Sequence, residues 1–253
     1  MYAGNIALVG LGPGQGTSFI SVSLAGYLAQ QGEHVSYTEI GRPAAKDSLL
    51  YDRYRMARRF PAGFRDVYAA CRAGKRLRGW ENRERIGSGL VNWRLITPLA
   101  ATERIDLSDG ERALLLGSAT GQVNIFDFDS DDRYDPLLSE ADLLLCVIDP
   151  APARLIRGEK RLRDLQRLAG RFDSRSRRYA YPKASFLLTK MNGGINRKRT
   201  GKFLGEARTF ALPFFPPDVT YGLEARGAYP WESELIRKET EKLFGDLFAS
   251  GVW

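Results

Sequence analysis

The first forty residues alternate apolar and polar positions in two different periods. Asn5–Gly10, "NIALVG", is a short apolar run and predicts a strand. A glycine-rich turn follows. Then "TSFISVSLAGYLAQQG" places Phe19, Ile20, Val22, Leu24, Ala25, Leu28 and Ala29 at helical spacing and stops at Gly32. His34–Ile40, "HVSYTEI", predicts a second strand. Strand, tight turn, helix and strand make a βαβ unit, and such units build parallel sheets.

The same logic continues along the chain. Strands are predicted at Trp93–Leu99, Val123–Asp129, Asp142–Asp149, Ala184–Lys190 and Thr209–Phe214. Leu143–Ile148 and Phe186–Leu188 are apolar throughout, the pattern of strands covered by helices on both faces. Helices are predicted around Ser108–Ser118, Arg154–Leu168, Arg199–Arg208 and Glu232–Phe248. No internal repeat, low-complexity tract or linker interrupts the pattern. The expectation is one α/β domain over residues 1–253, with a mostly parallel sheet flanked by helices on both faces, and a basic helical insert at about 45–90.

That insert changes the picture because of its charge. The chain carries a net charge of +8. Residues Tyr51–Trp80 hold Arg53, Arg55, Arg58, Arg59, Arg65, Arg72, Lys75, Arg76 and Arg78 against Asp52 and Asp66 only, with six aromatics interleaved. The plainer reading is a solvated helical excursion whose aromatics pack on the sheet. The sharper one is a surface for nucleic-acid phosphates, anionic lipid or an acidic protein. Arg171–Arg178, "RFDSRSRR", is a second basic loop.

Other chemistry is sparse. Cys71 and Cys146 form no framework, and Cys146 sits in a buried-strand pattern, so a cytosolic setting is expected. His34 is the single histidine, which argues against a His/Cys zinc site. No run reaches the ~18 apolar residues that span a bilayer, and the N-terminus does not read as a signal peptide. The C-terminal "ETEKLFGDLFASGVW" has an apolar face made of Leu243, Phe244, Leu247, Phe248, Val252 and Trp253. It reads first as the last core helix and second as a membrane-surface helix, although its polar face mixes acids with bases.

The chemistry concentrates at "VGLGPGQGTS". A glycine-rich turn entering a helix aims backbone N–H groups at one point and attracts phosphate. A dinucleotide fingerprint fails on spacing, since Gln15 or Thr17 would have to be the third glycine. "GLGPG" also resembles the first loop of tetrapyrrole methylases, but the helix that follows does not support that reading.

The block "GPGQGTSFISVSLAGYLAQQGEHVSYTEIG" resembles the N-terminal block of the ParA/MinD family of P-loop ATPases. "VNIFDFDSD" resembles the family's Walker B strand. "SEADLLLCVIDPAPARLIRGEKRLRDL" resembles the strand, proline and helix that follow it. "FLLTKMN" resembles the strand ending at the nucleotide base, and "ALPFFPPDVTYGLEARGAYPWE" the closing proline-rich segment. The resemblance covers most of the chain, the basic insert least.

It implies a nucleotide cradle at Gly12, Pro13, Gly14, Gln15, Gly16, Thr17 and Ser18, with Thr189 and Lys190 at the base-contacting strand end. It implies Mg²⁺ at Ser18 and Asp127, and Glu39 in the place of the catalytic aspartate. Asp129 is the alternative Walker B carboxylate. It implies ATP or ADP with Mg²⁺ as cofactor, or none. Two departures bear on activity. Thr17 stands where the phosphate-binding lysine belongs, and Gly12 where the family's second, deviant lysine belongs. Arg42 is the nearest sequence candidate for a replacement cation. Phosphoryl transfer depends on positioning and charge stabilisation, so loss of both lysines predicts a degenerate member with doubtful hydrolysis.

Within the family the resemblance points to the TadZ/CpaE-like localisation proteins of pilus machinery. That implies protein partners, a homodimer, and a cytoplasmic or peripheral inner-membrane location. The alternatives are an active Mg-ATP-dependent ATPase using Glu39 and Asp127, and a nucleic-acid-binding module using the insert.

Overall fold

The computed structural model describes residues 3–40, 50–77, 81–97, 107–128, 138, 141–170, 172–173, 178–179, 183–204 and 208–251. Elements run β1 (Gly4–Gly10), α1 (Thr17–Gln30), β2 (His34–Ile40), α2 (Leu50–Arg53), α3 (Met56–Arg59), α4 (Val67–Arg72), β3 (Asn82–Ile86), β4 (Gly89–Arg94), α5 (Asp109–Gly117), β5 (Val123–Phe128) and β6 (Leu143–Ile148). The second half holds α6 (Pro152–Gly170), β7 (Phe172–Asp173), β8 (Arg178–Tyr179), β9 (Lys183–Met191), α7 (Arg197–Phe203), β10 (Thr209–Pro213), α8 (Pro217–Arg226), a 3₁₀ turn at Pro230–Glu232 and α9 (Glu234–Ala249).

Eight strands form one sheet in the order β10-β9-β6-β1-β5-β2-β4-β3. Every pairing is parallel except β3 with β4. β7 and β8 pair separately, antiparallel. The continuous apolar runs are explained by two-sided burial. Ile6, Leu8, Leu145 and Val147 face a core shared with α1 and α9, while Ala7, Val9, Leu144, Cys146 and Ile148 face another shared with α4, α5 and α6. This is the three-layer α/β arrangement expected from the pattern.

Helix α1 lies between the sheet and α9, where the Tyr27 ring meets Phe244 at 5.4 Å and Phe248 at 6.1 Å between centroids. The apolar face of α9 is therefore in the core: Ile236, Leu243, Phe244, Leu247 and Phe248 are all buried. Val252 and Trp253 lie outside the described residues.

Three sequence expectations change in detail. The interval read as a helical insert contains three short helices and then a β-hairpin, in which Ile86 pairs with Gly89 across a two-residue loop and Gly87 sits at φ 61°. The strand expected to run from Trp93 towards Leu99 ends at Arg94. The helix expected at Arg199–Arg208 is shorter and starts earlier, at Arg197–Phe203.

Candidate functional site

The carboxyl ends of β1, β2, β5, β6 and β9 converge on the loop between β1 and α1. In open α/β sheets this crevice is where ligands bind. Gly14 at φ 73° and Gly16 at φ 91° take a left-handed backbone that glycine adopts without strain, and Gly16 precedes α1 with no side-chain cap on the helix start. The first-turn N–H groups of α1 are thus left for a ligand or solvent.

The expected cradle residues do not all face one way. Gly12 is half-buried, and Pro13 and Gly14 are exposed, so they line the open side of the loop. Gln15 is buried and turned away: its Oε1 accepts from the Asp149 N–H at the end of β6. Thr189 holds the loop from β9, its hydroxyl donating to the Gln15 carbonyl at 2.8 Å. Thr17 folds back, its Oγ1 only 2.7 Å from where a Cβ on Gly10 would stand. Ser18 is half-buried in the first turn of α1.

Positive charge reaches the loop from elsewhere in the chain. Lys190 Nζ donates to the Gly14 carbonyl at 2.6 Å and pairs with Asp149 at 3.0 Å. Arg154, near the start of α6, donates to the Pro13 carbonyl at 3.0 Å. Lys190 itself sits at φ 54°, a left-handed conformation costly for a lysine. Arg154 and Asp149 were not among the sequence candidates. The available signal was positional, since both follow β6 at the sheet edge that carries the loop. Arg42 and Asp129 lie outside the described residues.

Glu39 and Asp127 are register partners on β2 and β5, both buried. Glu39 Oε2 accepts from the Ile96 N–H at 2.9 Å. Burial, with the Asp127 charge adding to it, pushes the Glu39 carboxyl up to about 8 against the opposing Ile96 hydrogen bond. Asp127 Oδ2 accepts from the Tyr37 hydroxyl at 2.7 Å. Tyr37 is a residue the sequence reading passed over, although strand alternation puts it on the face of Glu39 two residues on. Its phenol is held well above its usual range by burial and then by Asp127.

The residues around the loop fit the phosphates of a nucleotide: an uncapped helix start, two left-handed glycines and two fixed cations converge on one spot. The residues that the resemblance implies for Mg²⁺ are of donor types the ion takes: Ser18 offers a half-buried hydroxyl in the first turn of α1, and Asp127 a buried carboxylate with one oxygen accepting from Tyr37.

Three arginines of the basic insert bond within the protein itself. Arg59 donates to the Tyr54 and Gly227 carbonyls, both at 2.9 Å, pairs with Glu84 at 3.1 Å and Glu232 at 3.4 Å, and lies 3.8 Å from the Tyr229 ring centroid. Arg53 pairs with Glu224 at 3.3 Å, and Arg55 donates to the Ala225 carbonyl. Arg58, Arg72, Lys75 and Arg76 are exposed, and Arg78 lies outside the described residues.

No protein-family model matches the chain, and no curated protein matches it. Solved structures do. A ParA family ATPase from Chlorobium tepidum TLS superposes with a TM-score of 0.67 at 15% identity, covering 97% of each chain. The MinC:MinD cell division protein complex of Aquifex aeolicus gives 0.66 at 14% identity, covering 96% of each. The septum site-determining protein MinD complexed with Mg-ADP, from Pyrococcus horikoshii OT3, gives 0.65 at 12% identity, covering 100% of this chain and 99% of that one. At these identities the likeness establishes the fold, that of the P-loop ATPases of the ParA/MinD type.

Proposed function

We propose that the chain is a degenerate ParA/MinD-like protein that positions or scaffolds a cellular machine, such as a pilus or secretion assembly of the TadZ/CpaE kind, with a nucleotide as structural ligand. The observation that carries the reading is the loop. Its phosphate-binding backbone is retained while Gly12 and Thr17 replace both lysines, and the cations beside it, Lys190 and Arg154, are already bonded to loop carbonyls. The protein would act through protein partners and a homodimer, in the cytoplasm or at the inner-membrane surface. Among the described residues no helix is long and apolar enough to cross a membrane.

Calorimetric titration with ATP, ADP and GTP, with and without Mg²⁺, tests this. Binding is expected for at least one nucleotide, and withholding Mg²⁺ should weaken it, because Ser18 and Asp127 are the residues that would hold the ion. Phosphate release should stay at background. ATP turnover that vanishes in Glu39→Ala or Asp127→Ala would establish the alternative, an active ATPase. The adjacency of Glu39 and Asp127 supports that alternative.

A further inference from the structure

Strand β3 closes the sheet at the edge far from β9 and β10, and among the described residues no further strand pairs with it. Its register with β4 sets which backbone groups face outward. Ile86 and Gly89 flank the two-residue loop, so Ile86, Glu84 and Asn82 exchange hydrogen bonds with β4, while the N–H and C=O groups of Arg83 and Arg85 point away from the sheet. A row of outward main-chain groups of this kind is a template for another strand.

Two features of the edge select what can add to it. The side chains of Arg83 and Arg85 share one face and are exposed. Glu81 offsets Arg83, whose Nε and Nη2 both donate to one of its oxygens, whereas Arg85 has no ion pair among the described residues and presents the full charge. Glu81 is only 8% exposed and binds Arg83 and the Thr120 hydroxyl, while Glu84 accepts from the Trp93 indole at 2.8 Å and the Tyr229 hydroxyl at 2.5 Å. A second copy of β3 would set arginine against arginine, which is unfavourable, whereas acidic residues opposite Arg83 and Arg85 are favoured. Beside Asn82 lies a surface cavity of about 520 Å³, where Phe60, Pro61 and Ala62 stand among the charged Arg59, Arg65, Glu81 and Arg83. Asn82 braces it, its Oδ1 accepting from the Arg65 N–H at 2.6 Å and its Nδ2 donating to the Arg65 carbonyl at 2.9 Å.

We propose that the outer edge of β3 and this cavity form a docking site for an extended acidic segment of a partner protein, added to the sheet as a further strand. Alternate residues of that segment would be acidic, against Arg83 and Arg85, and apolar, against Phe60 and Pro61. Main-chain pairing gives such a complex its affinity and the alternate side chains give its specificity. The site is separate from the nucleotide crevice and does not depend on how that crevice is read.

The test is fluorescence anisotropy of the full chain with a labelled decapeptide of alternating glutamate and valine. Binding is expected for this peptide and not for its lysine–valine counterpart. Methylating alternate amides of the probe should weaken it at least about tenfold, the scale of one or two lost hydrogen bonds. Arg83→Glu with Arg85→Glu should do the same, with thermal melting confirming that the variant is folded. Arg157→Glu with Lys160→Glu, an equal charge change on α6, should leave peptide binding unaltered. Equal affinity for the methylated probe, equal loss with the α6 variant, or tighter binding of oligo-dT with the same Arg83 and Arg85 dependence would each overturn the proposal.

Discussion

At the scale of single residues, Glu39 carries the sharpest consequence. Its carboxyl titrates near 8 in the folded protein and near 4.5 in an ordinary environment. Below the lower value both states are protonated and the group has no effect on stability. Between the two, the unfolded chain loses a proton that the native state keeps, so stability falls as pH rises, by at most about 1.4 kcal/mol per pH unit. Glu39→Gln keeps an oxygen for the Ile96 N–H and removes the titration. Urea denaturation from pH 5 to 8 should show the wild-type midpoint falling and that of the variant nearly flat, with the variant the more stable at pH 8. Lys190 gives a second residue-scale expectation. Asparagine tolerates its left-handed backbone better, which offsets the lost ion pair to Asp149, so Lys190→Asn should change stability by no more than about 1 kcal/mol. It should nonetheless weaken ATP binding about tenfold in calorimetry, because a fixed charge beside the loop is gone.

At the scale of elements, the insert and the closing segment clamp each other through Arg59. From the end of α3 that guanidinium reaches Tyr54, Glu84 on β3, Gly227 after α8 and Glu232 in the 3₁₀ turn, and lies on the ring of Tyr229, which stacks on Trp93 at 5.3 Å and on Trp231 at 4.3 Å. Arg59→Met should cost about 2–4 kcal/mol in denaturant unfolding, since it leaves Glu84 half-buried without its ion partner. Gly26→Ala tests the opposite face of the same stack. Alanine favours helix, yet its Cβ would come 2.2 Å from the Trp231 ring, so the variant should lose about 1–3 kcal/mol through overpacking. The sequence showed the strands buried on both faces because hydrophobicity alone marks them. It did not show β3, where Asn82 and Glu84 are held inward by hydrogen bonds, nor α8, whose opening prolines read as breakers although Pro217 sits at the helix start. Of the site, the glycine-rich turn was legible from local pattern, and Glu39 and Asp127 only through the family resemblance. Lys190 was legible only through the family resemblance, and Arg154 not at all, because it reaches Pro13 across 141 residues of chain.

At the scale of the whole molecule, the fold decides between the two readings of the C-terminal segment. A membrane-surface helix needs an apolar face free to enter lipid. The apolar face of α9 is spent on α1 and β10, with Phe244 and Leu247 fully buried. Releasing it would uncover α1, whose start carries the glycine-rich loop, so the last helix and the candidate site stand on one core. Phe244→Ala should therefore destabilise the entire domain by about 3–5 kcal/mol in a single cooperative transition. A chain ending at residue 239 should show no cooperative melt in calorimetry and bind no nucleotide. A truncated chain that melts cooperatively, binds ATP as before and only fails to sediment with anionic vesicles would show instead that α9 is a detachable anchor.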